Sequence, residues 1–336
     1  MKKVIAVVFV LLLLGAAGAY YVLVVPNINA PKRVSIKIPT GSTYADVERI
    51  LHENNVLKDE LTFSIVSKLK KYPDHINAGY YVFNAGLNNR QIVNILRAGL
   101  QTPVTLVIYN IRTKEEFAGL AGRTLELDSN ELLAKLNDDA FCKQLKSDTG
   151  KILTRFIVDN YDFYWNVSQE KFFDKLNAAY DNFWNTERKN KVQVLNLSPT
   201  EVTILASITE KEVLRDKELP TVAGVYLNRL RINMPLQADP TLVFALHDFT
   251  AQRVTSKHKD FDSPYNTYKY PGLPPGAICM PRKKSIDAVL NSEEHPYLYF
   301  CANPDLSGYS IFAKTYDEQM ETAAKYRKKL NEMNIH

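Results

Sequence analysis

The first 25 residues place the strongest constraint on how this chain can fold. After Lys2 and Lys3, residues 4–25 form an almost uninterrupted apolar run. About 20 such residues are enough for a helix to cross the hydrocarbon core of a bilayer. The run therefore predicts a transmembrane helix at residues 4–25, behind a cytoplasmic tip of residues 1–3.

Two interpretations of this run are open: a retained signal anchor, or a signal peptide cut at the small residues of 16–19. The run continues through YYVLVV at 20–25, past that possible cut, which favours an anchor. The region contains no cysteine, which excludes a lipoprotein anchor. Because so few residues precede the span, we expect its short positive end to stay in the cytoplasm and the rest of the chain to be exported.

The composition of the whole chain excludes some classes of function. Its 336 residues, 46% hydrophobic and 24% charged, can build two or three domains. The net charge of +5 is spread along the chain, and this argues against a nucleic-acid partner. The 19 Tyr and 15 Phe suit carbohydrate surfaces as well as cores. Cys142, Cys279 and Cys301 lack metal-ligand spacing, so we expect inert thiols and neither metal nor cofactor, although Cys279 and Cys301 could pair in an oxidising compartment.

Residues 34–100, after a linker at 26–33, form the first predicted domain. The pattern predicts strands at 34–39 and 78–83 and helices at 44–53, 61–70 and 89–98. This β-α-α-β order resembles a LysM-like glycan-binding module, with PTGST at 39–43 as the loop before its first helix. The alternative is a small structural domain that only spaces the rest of the chain from the membrane.

The pattern of residues 101–336 predicts a second domain, which mixes helices and strands and is rich in helix. We therefore expect the whole chain to belong to the α+β class. Apolar periodicity gives most of its elements. We predict helices at 114–121, 129–136, 139–146, 169–188, 221–231, 285–290 and 316–331, extended segments at 105–109 and 156–165, and a hairpin of 297–301 with 309–312.

The helix that begins at Ser198 carries the candidate catalytic residue. Ser198 can cap it, Pro199 fits the first helical position, and Glu201 can bond back to the capping backbone N–H. Several apolar or small residues share the face that should be buried: Val202, Leu205, Ala206, Thr209 and Val213.

Two glutamates lie near the end of this helix. Glu210 falls at the edge of the buried face, where partial burial would raise the pKa of its carboxyl and make it a proton donor near neutral pH. Glu212 points away and has Arg215 three residues on, which suggests a solvated ion pair. Glu210 is thus the preferred acid, although a plain boundary residue of an amphipathic helix is the alternative.

Several ordered blocks follow and make the chain recognisable. They are ASITEKE at 206–212, NRL at 228–230, LQADPT at 236–241, YNTY at 265–268, GLPPGAI at 272–278 and YLYF at 297–300. Together they resemble the membrane-anchored endolytic murein transglycosylases of the MltG or YceG-like family, with core motifs over residues 198–315. The segment at 153–161 departs from the family pattern. Only its Tyr161 clearly matches that pattern.

The resemblance implies an enzyme that cuts peptidoglycan glycan strands at the outer face of the inner membrane and ends strand elongation. It implies Glu210 as the acid and base, and peptidoglycan synthases as partners. For substrate binding we single out Gln237, Asp239, Asn266 and Tyr268, and Ser207 beside Glu210. The alternatives are a helix cap for Asp239 and turn capping or core filling for Asn266 and Tyr268.

The expected reaction cleaves a MurNAc–GlcNAc bond and leaves a 1,6-anhydroMurNAc end. One carboxyl group suffices, because the 6-hydroxyl of the same sugar attacks in place of water. A hydrolytic muramidase would need a second carboxylate, most plausibly Asp239, and would leave reducing ends. A wall-binding scaffold without catalysis is the third hypothesis.

Overall fold

The structure, a computed structural model, describes residues 1–250 and 255–332. Small two-stranded sheets lie among many helices, which confirms the helix-rich α+β class. The chain divides into two compact units. Unit 1 comprises Met1–Leu106 and two later segments, Ala121–Asp128 and Tyr161–Gln169; unit 2 comprises Val107–Leu120, Ser129–Asn160 and the described chain from Glu170 onward.

Unit 1 is built on a two-stranded antiparallel sheet. Its first elements are α1 (Lys2–Val24), β1 (Arg33–Ile38), α2 (Tyr44–Glu53), α3 (Glu60–Leu69), β2 (Gly79–Asn84), α4 (Asn89–Arg97) and β3 (Val104–Val107). Ile36 of β1 lies opposite Tyr81 of β2, and both side chains are buried. Capping boxes at Thr43 and Asn88 start α2 and α4. The predicted β-α-α-β order and the helix after it are confirmed.

Helix α1 is long and apolar enough to cross a membrane, by length and composition, with a mean hydropathy of 2.5 and no buried residue in that window. Its end is attached to unit 1, since Asn89 Nδ2 donates to the Val22 carbonyl over 3.0 Å. The buried Asn27 side chain donates to Asn89 Oδ1 over 2.6 Å and accepts from the Asp59 N–H. Ile28 lies in the core. The start of the predicted linker is therefore part of the folded unit.

The later elements belong mainly to unit 2. They are α5 (Lys114–Thr124), α6 (Ser129–Leu136), α7 (Asp139–Gln144), β4 (Asn160–Phe163), α8 (Gln169–Phe183), α9 (Thr186–Val194), α10 (Pro199–Glu212), α11 (Leu219–Arg231), α12 (Asp239–Ala245), α13 (Ser256–Lys259), α14 (Lys283–Leu290), β5 (Tyr299–Ala302), β6 (Ser310–Ala313) and α15 (Tyr316–Glu332). Strand β3 pairs with β4, and β5 pairs with β6 as the predicted hairpin.

One predicted helix is two helices in the structure. The pattern predicted a single helix at 169–188, but α8 ends at Phe183 and α9 begins at Thr186. The side chain of Asn185 accepts from the Arg188 N–H over 3.0 Å and caps α9. A cap residue inside a periodic run therefore starts a new helix.

Helix α10 lies at the centre of unit 2. It packs against α9, α11, α12 and α14. Every residue from Val202 to Thr209 is buried, so the helix has no solvent-facing side over these two turns. The expected capping box is present, since Ser198 Oγ accepts from the Glu201 N–H and the Glu201 carboxylate accepts from the Ser198 N–H.

A glycine- and proline-rich loop leads into α14. Gly272 has φ +89°, which favours glycine. Gly276 is required for a different reason, because an added Cβ would lie 2.4 Å from the Gly150 carbonyl oxygen. Farther along, the Ile278 N–H donates to Ser207 Oγ over 3.1 Å. The loop is thus fixed against the buried middle of α10.

The three cysteines are free thiols. Cys142 and Cys279 are buried, as expected of inert thiols, and Cys301 is half-buried. Burial raises the pKa of the Cys279 thiol to about 12. This thiol therefore stays protonated and unreactive at neutral pH.

Candidate active site

The two glutamates near the end of α10 have different surroundings. Helix α10 ends at Glu212, and Val213 continues in extended conformation. The enclosed part of the helix ends before Glu210. The carboxyl groups of Glu210 and Glu212 lie beyond it, and each contacts a different neighbouring element.

Glu210 contacts the start of α14. Its Oε2 accepts hydrogen bonds from the Arg282 N–H over 2.7 Å and from Ser285 Oγ over 2.6 Å. Its Oε1 lies 3.3 Å from Arg282 Nε, and the side chain is only 9% exposed. A carboxylate at a helix N-terminus satisfies N–H groups that have no partner within the helix. Glu210 therefore holds α14 against α10 as a paired anion.

Glu212 reaches a cleft of about 310 Å³ in unit 2. Its Oε2 is enclosed and has no hydrogen-bond partner in the described chain. Burial, and then the negative charge of Asp239, raise the pKa of Glu212 from 4.5 to about 7. Hydrogen bonding from Tyr226 and the charge of Arg229 act against this rise. A carboxyl group with this pKa can donate a proton at neutral pH.

The expected solvated pair of Glu212 with Arg215 is wrong. Arg215 instead donates to the Ser307 carbonyl over 3.0 Å, and its guanidinium lies over the Tyr309 ring. The sequence did contain a signal for Glu212, because the residues three, four and seven positions before it are Thr209, Ile208 and Leu205. All three are buried.

Three of the predicted binding residues line the same cleft as Glu212: Gln237, Asp239 and Tyr268. The Tyr268 hydroxyl donates to Asp239 Oδ1. Burial, and then this bond, raise the pKa of Tyr268, which keeps the hydroxyl protonated. Gln237 has φ +51°, and its N–H donates to the Thr267 carbonyl over 2.9 Å. Asp239 is not a helix cap, because the cap of α12 is Ala238.

Ser207 and Asn266 lie away from the cleft and have structural contacts. Ser207 is fully buried and donates to the Ile204 carbonyl over 2.7 Å. Asn266 is also fully buried, and its Nδ2 donates to the Lys259 and Phe261 carbonyls. Its Oδ1 accepts from the Tyr268 N–H. The turn-capping alternative therefore describes Asn266, which positions Tyr268.

Comparison with known proteins shows which family this chain belongs to. The profile of the YceG-like family matches residues 36–325. This chain belongs to the YceG-like family. An endolytic murein transglycosylase of Bacillus subtilis is 30% identical over 89% of this chain and 86% of its own length. One of Streptococcus pneumoniae is 28% identical over 98% of this chain and 66% of its own length.

A solved structure shows a similar fold. A YceG-like protein of Listeria monocytogenes, known from a 2.6 Å crystal structure, is 29% identical. It covers 87% of this chain and 99% of its own chain, with a TM-score of 0.56. The fold of this YceG-like chain therefore agrees with that of a related protein.

Arg229 is a residue of this YceG-like site that the sequence analysis did not single out. Its side chain is buried, and it donates from Nε to the Leu298 carbonyl over 2.7 Å and from Nη1 to the Leu236 carbonyl over 2.6 Å. These bonds hold three separate segments around the cleft. The NRL block at 228–230 pointed to Arg229 in the sequence. Spacing alone, however, did not indicate which segments Arg229 joins.

Helix α15 supplies a further wall of the cleft, and the sequence analysis did not assign it to the site. The residues of this helix that line the cleft are Tyr316, Gln319, Met320 and Ala323. They share one helical face, because they are three, four and seven positions apart. No block of the recognised motifs reaches this helix, which is why it was missed.

The divergent segment at 153–161 lies outside the cleft lining, with residues 153–160 in unit 2 and Tyr161 in unit 1. Arg155 places its guanidinium 3.7 Å from the centre of the Tyr180 ring and donates to Asn177 Oδ1 over 2.7 Å. Phe156 stacks on Phe117. These contacts build the core.

Proposed function

We propose that this chain is a lytic transglycosylase of murein glycan strands, with Glu212 as its acid and base. The observation that carries the proposal is the Glu212 carboxyl group, which faces the cleft with a pKa of about 7. The relatives named endolytic murein transglycosylases supply the substrate and the type of reaction. The ion pair of Glu210 with Arg282 supports moving the catalytic role from Glu210 to Glu212.

In the proposed reaction Glu212 acts first as an acid and then as a base. Its proton moves to the glycosidic oxygen of the leaving GlcNAc while the bond from that oxygen to C1 of MurNAc breaks. The 6-hydroxyl of the same MurNAc then bonds to C1 and returns its proton to Glu212. The product carries a 1,6-anhydro ring, and no water enters.

Asp239 and Tyr268 have supporting roles in this mechanism. The positive charge that develops at C1 is stabilised by a nearby fixed anion. Asp239 supplies such an anion, and the Tyr268 hydroxyl fixes its orientation. The negative charge of Asp239 also helps to keep Glu212 protonated before the reaction. The Asp239 carboxylate thus stabilises the charge on the sugar and also keeps Glu212 protonated.

The rest of the chain supports a location at the membrane. We propose that α1 anchors the protein in the inner membrane with its first residues in the cytoplasm, which places the enzyme near newly made glycan strands. Its length and hydropathy support this role. Unit 1, with its β-α-α-β order, would act as a LysM-like glycan-binding module, and synthases that polymerise glycan would be its partners.

The test is a pair of matched variants, Glu212→Gln and Glu210→Gln, on purified murein. We expect E212Q to lower the rate of strand cleavage at least about 100-fold, since it removes proton transfer. E210Q keeps an oxygen that can accept from Arg282 and Ser285, so it should retain most activity and lose about 1 kcal/mol of stability. The reverse pattern would return the catalytic role to Glu210.

A hydrolytic muramidase is the second candidate, favoured by the presence of two carboxyl groups, Glu212 and Asp239, in one cleft. Such an enzyme would use the second carboxylate as nucleophile or to activate water. Mass spectrometry of the fragments separates the two reactions. Anhydro ends support the transglycosylase, and reducing ends with one added water support the muramidase.

A further inference from the structure

Helix α15 has an apolar face that the described chain covers only in part. Tyr316 is 59% exposed and Met320 is 40% exposed, and no residue of α15 is buried. The apolar face of a surface helix normally packs against the core. In α15 this face lines the cleft that holds Glu212.

Gln319 contributes a polar atom to the same wall. Its Nε2 donates to the Phe300 carbonyl over 3.0 Å. A carbonyl oxygen can only accept, so this bond fixes which end of the amide faces Phe300. The other end, Oε1, is enclosed and has no hydrogen-bond partner in the described chain. A buried acceptor without a partner is unfavourable, and a ligand N–H or O–H would satisfy it.

The residues that α15 places in the cleft are uncharged, whereas the rest of the lining includes Glu212, Arg229 and Asp239. The residues that α15 places in the cleft are Tyr316, Gln319, Met320 and Ala323. The rings of Tyr316 and Tyr299 meet edge to face, with centres 6.0 Å apart, and this contact orients Tyr316. A fixed aromatic ring can stack on the C–H face of a neutral sugar ring, and the amide acceptor beside it can bind an N–H or O–H of that sugar.

We propose that α15 forms a subsite for the N-acetylglucosamine ring of the strand, with the ring stacked on Tyr316 and Met320 and its acetamido N–H donating to Gln319 Oε1. This subsite rests on the proposed function. Of the two sugars in the strand, only N-acetylmuramic acid carries a lactyl carboxylate. The uncharged wall therefore suits N-acetylglucosamine. Helix α15 thus determines which sugar lies next to Glu212.

The first experiment measures kcat and KM on peptide-free murein glycan strands. Tyr316→Ala should raise KM about tenfold with kcat nearly unchanged, because it removes stacking and none of the proton transfer. Tyr316→Phe keeps the ring and should restore the parent KM. Tyr326→Ala is the matched control, because it removes a tyrosine about 15 Å farther along the same helix, outside the cleft.

A second experiment measures binding without turnover. In the Glu212→Gln background, calorimetry with N-acetylchitotetraose should give about tenfold tighter binding than with cellotetraose, which has hydroxyl groups in place of acetamido groups. Adding Tyr316→Ala should weaken binding of N-acetylchitotetraose about tenfold. Equal binding of the two sugars, or no effect of Tyr316→Ala, would overturn the subsite.

The two proposals fail in different ways. If the parent protein releases no fragments from murein, the proposed function is wrong. If the parent protein is active and E212Q is inactive, but Tyr316→Ala leaves KM unchanged, the function stands and the subsite is wrong. A rise in KM that is equal in the Tyr326→Ala variant would likewise overturn the subsite, since it would reflect a general effect on α15.

Discussion

Two glutamates that are two positions apart in the chain have opposite environments. Glu210 is paired with the Arg282 guanidinium and accepts from two hydrogen-bond donors of α14. Glu212 has an enclosed oxygen without a partner and lies near another carboxylate, and both features favour the protonated form. Because a proton donor must be protonated before it reacts, the environment of Glu212 suits acid catalysis.

The pH dependence of cleavage should follow the pKa of Glu212. That pKa is raised to about 7, so activity should fall as the pH rises above about 7 and the acid loses its proton. Asp239→Asn removes the negative charge that helps to raise this pKa, so the fall should move to lower pH. Profiles of kcat/KM against pH for both proteins measure the shift. An unchanged midpoint in the variant would contradict the coupling of the two carboxyl groups.

Glu212 should also cost stability at high pH. A carboxyl group whose folded pKa is raised favours the folded state only while it is protonated, so its contribution is lost as the pH rises from about 4.5 through about 7. Glu212→Gln does not titrate. We expect the variant to gain up to about 3 kcal/mol relative to the parent between pH 4 and pH 8. Urea unfolding at both pH values measures it, and a constant difference would show that the pKa is not raised.

At the scale of elements, the junction of α10 with α14 explains how the cleft is held. The Glu210 carboxylate bonds the start of α14, and Ser207 bonds the loop that leads to it. Both residues were expected to act on the substrate. In the structure Ser207 lies in the enclosed part of α10 and Glu210 just after it, and both make contacts that join α10 to α14 and its loop.

The glycine-rich loop gives a prediction at this scale. Gly276→Ala should destabilise the protein by about 1–3 kcal/mol, because the new Cβ would overlap the Gly150 carbonyl and the Tyr265 hydroxyl. Gly272→Ala is the matched control. Nothing lies within 4 Å of its added Cβ, so only the strain of a positive φ remains, about 1 kcal/mol. Thermal unfolding compares the two, and equal losses would contradict the close approach at Gly276.

At the scale of the whole molecule, the N-terminal helix can be tested separately from the cleft. A variant without residues 2–21 keeps the bond from Asn89 to the Val22 carbonyl and loses most of the apolar run. We expect it to leave the membrane fraction and to keep the parent kcat on peptide-free glycan strands, because the cleft is built from unit 2 alone. Carbonate extraction and a kinetic assay measure this. Retention of the variant in the membrane fraction would contradict the anchor.

Most elements could be predicted from local pattern, because caps and periodicity act within a few residues. Helix α2 begins and ends where the sequence predicted, and the capping box of α10 is present. The site was predicted in part: Gln237, Asp239 and Tyr268 line the cleft, and Ser207 and Asn266 do not. Periodicity placed Glu210 at a buried edge and Glu212 in solvent because it assumes one buried face, whereas α10 is buried on every side from Val202 to Thr209.

The sequence by itself determined the apolar N-terminal helix, the order of the elements and the family, because these depend on residues near one another in the chain. Only the tertiary structure decided which glutamate reaches the cleft and that α15 forms one of its walls. The physical reason is distance along the chain. Arg282 and Asp239, which set the charges around Glu210 and Glu212, come from other elements, and only folding brings them into contact.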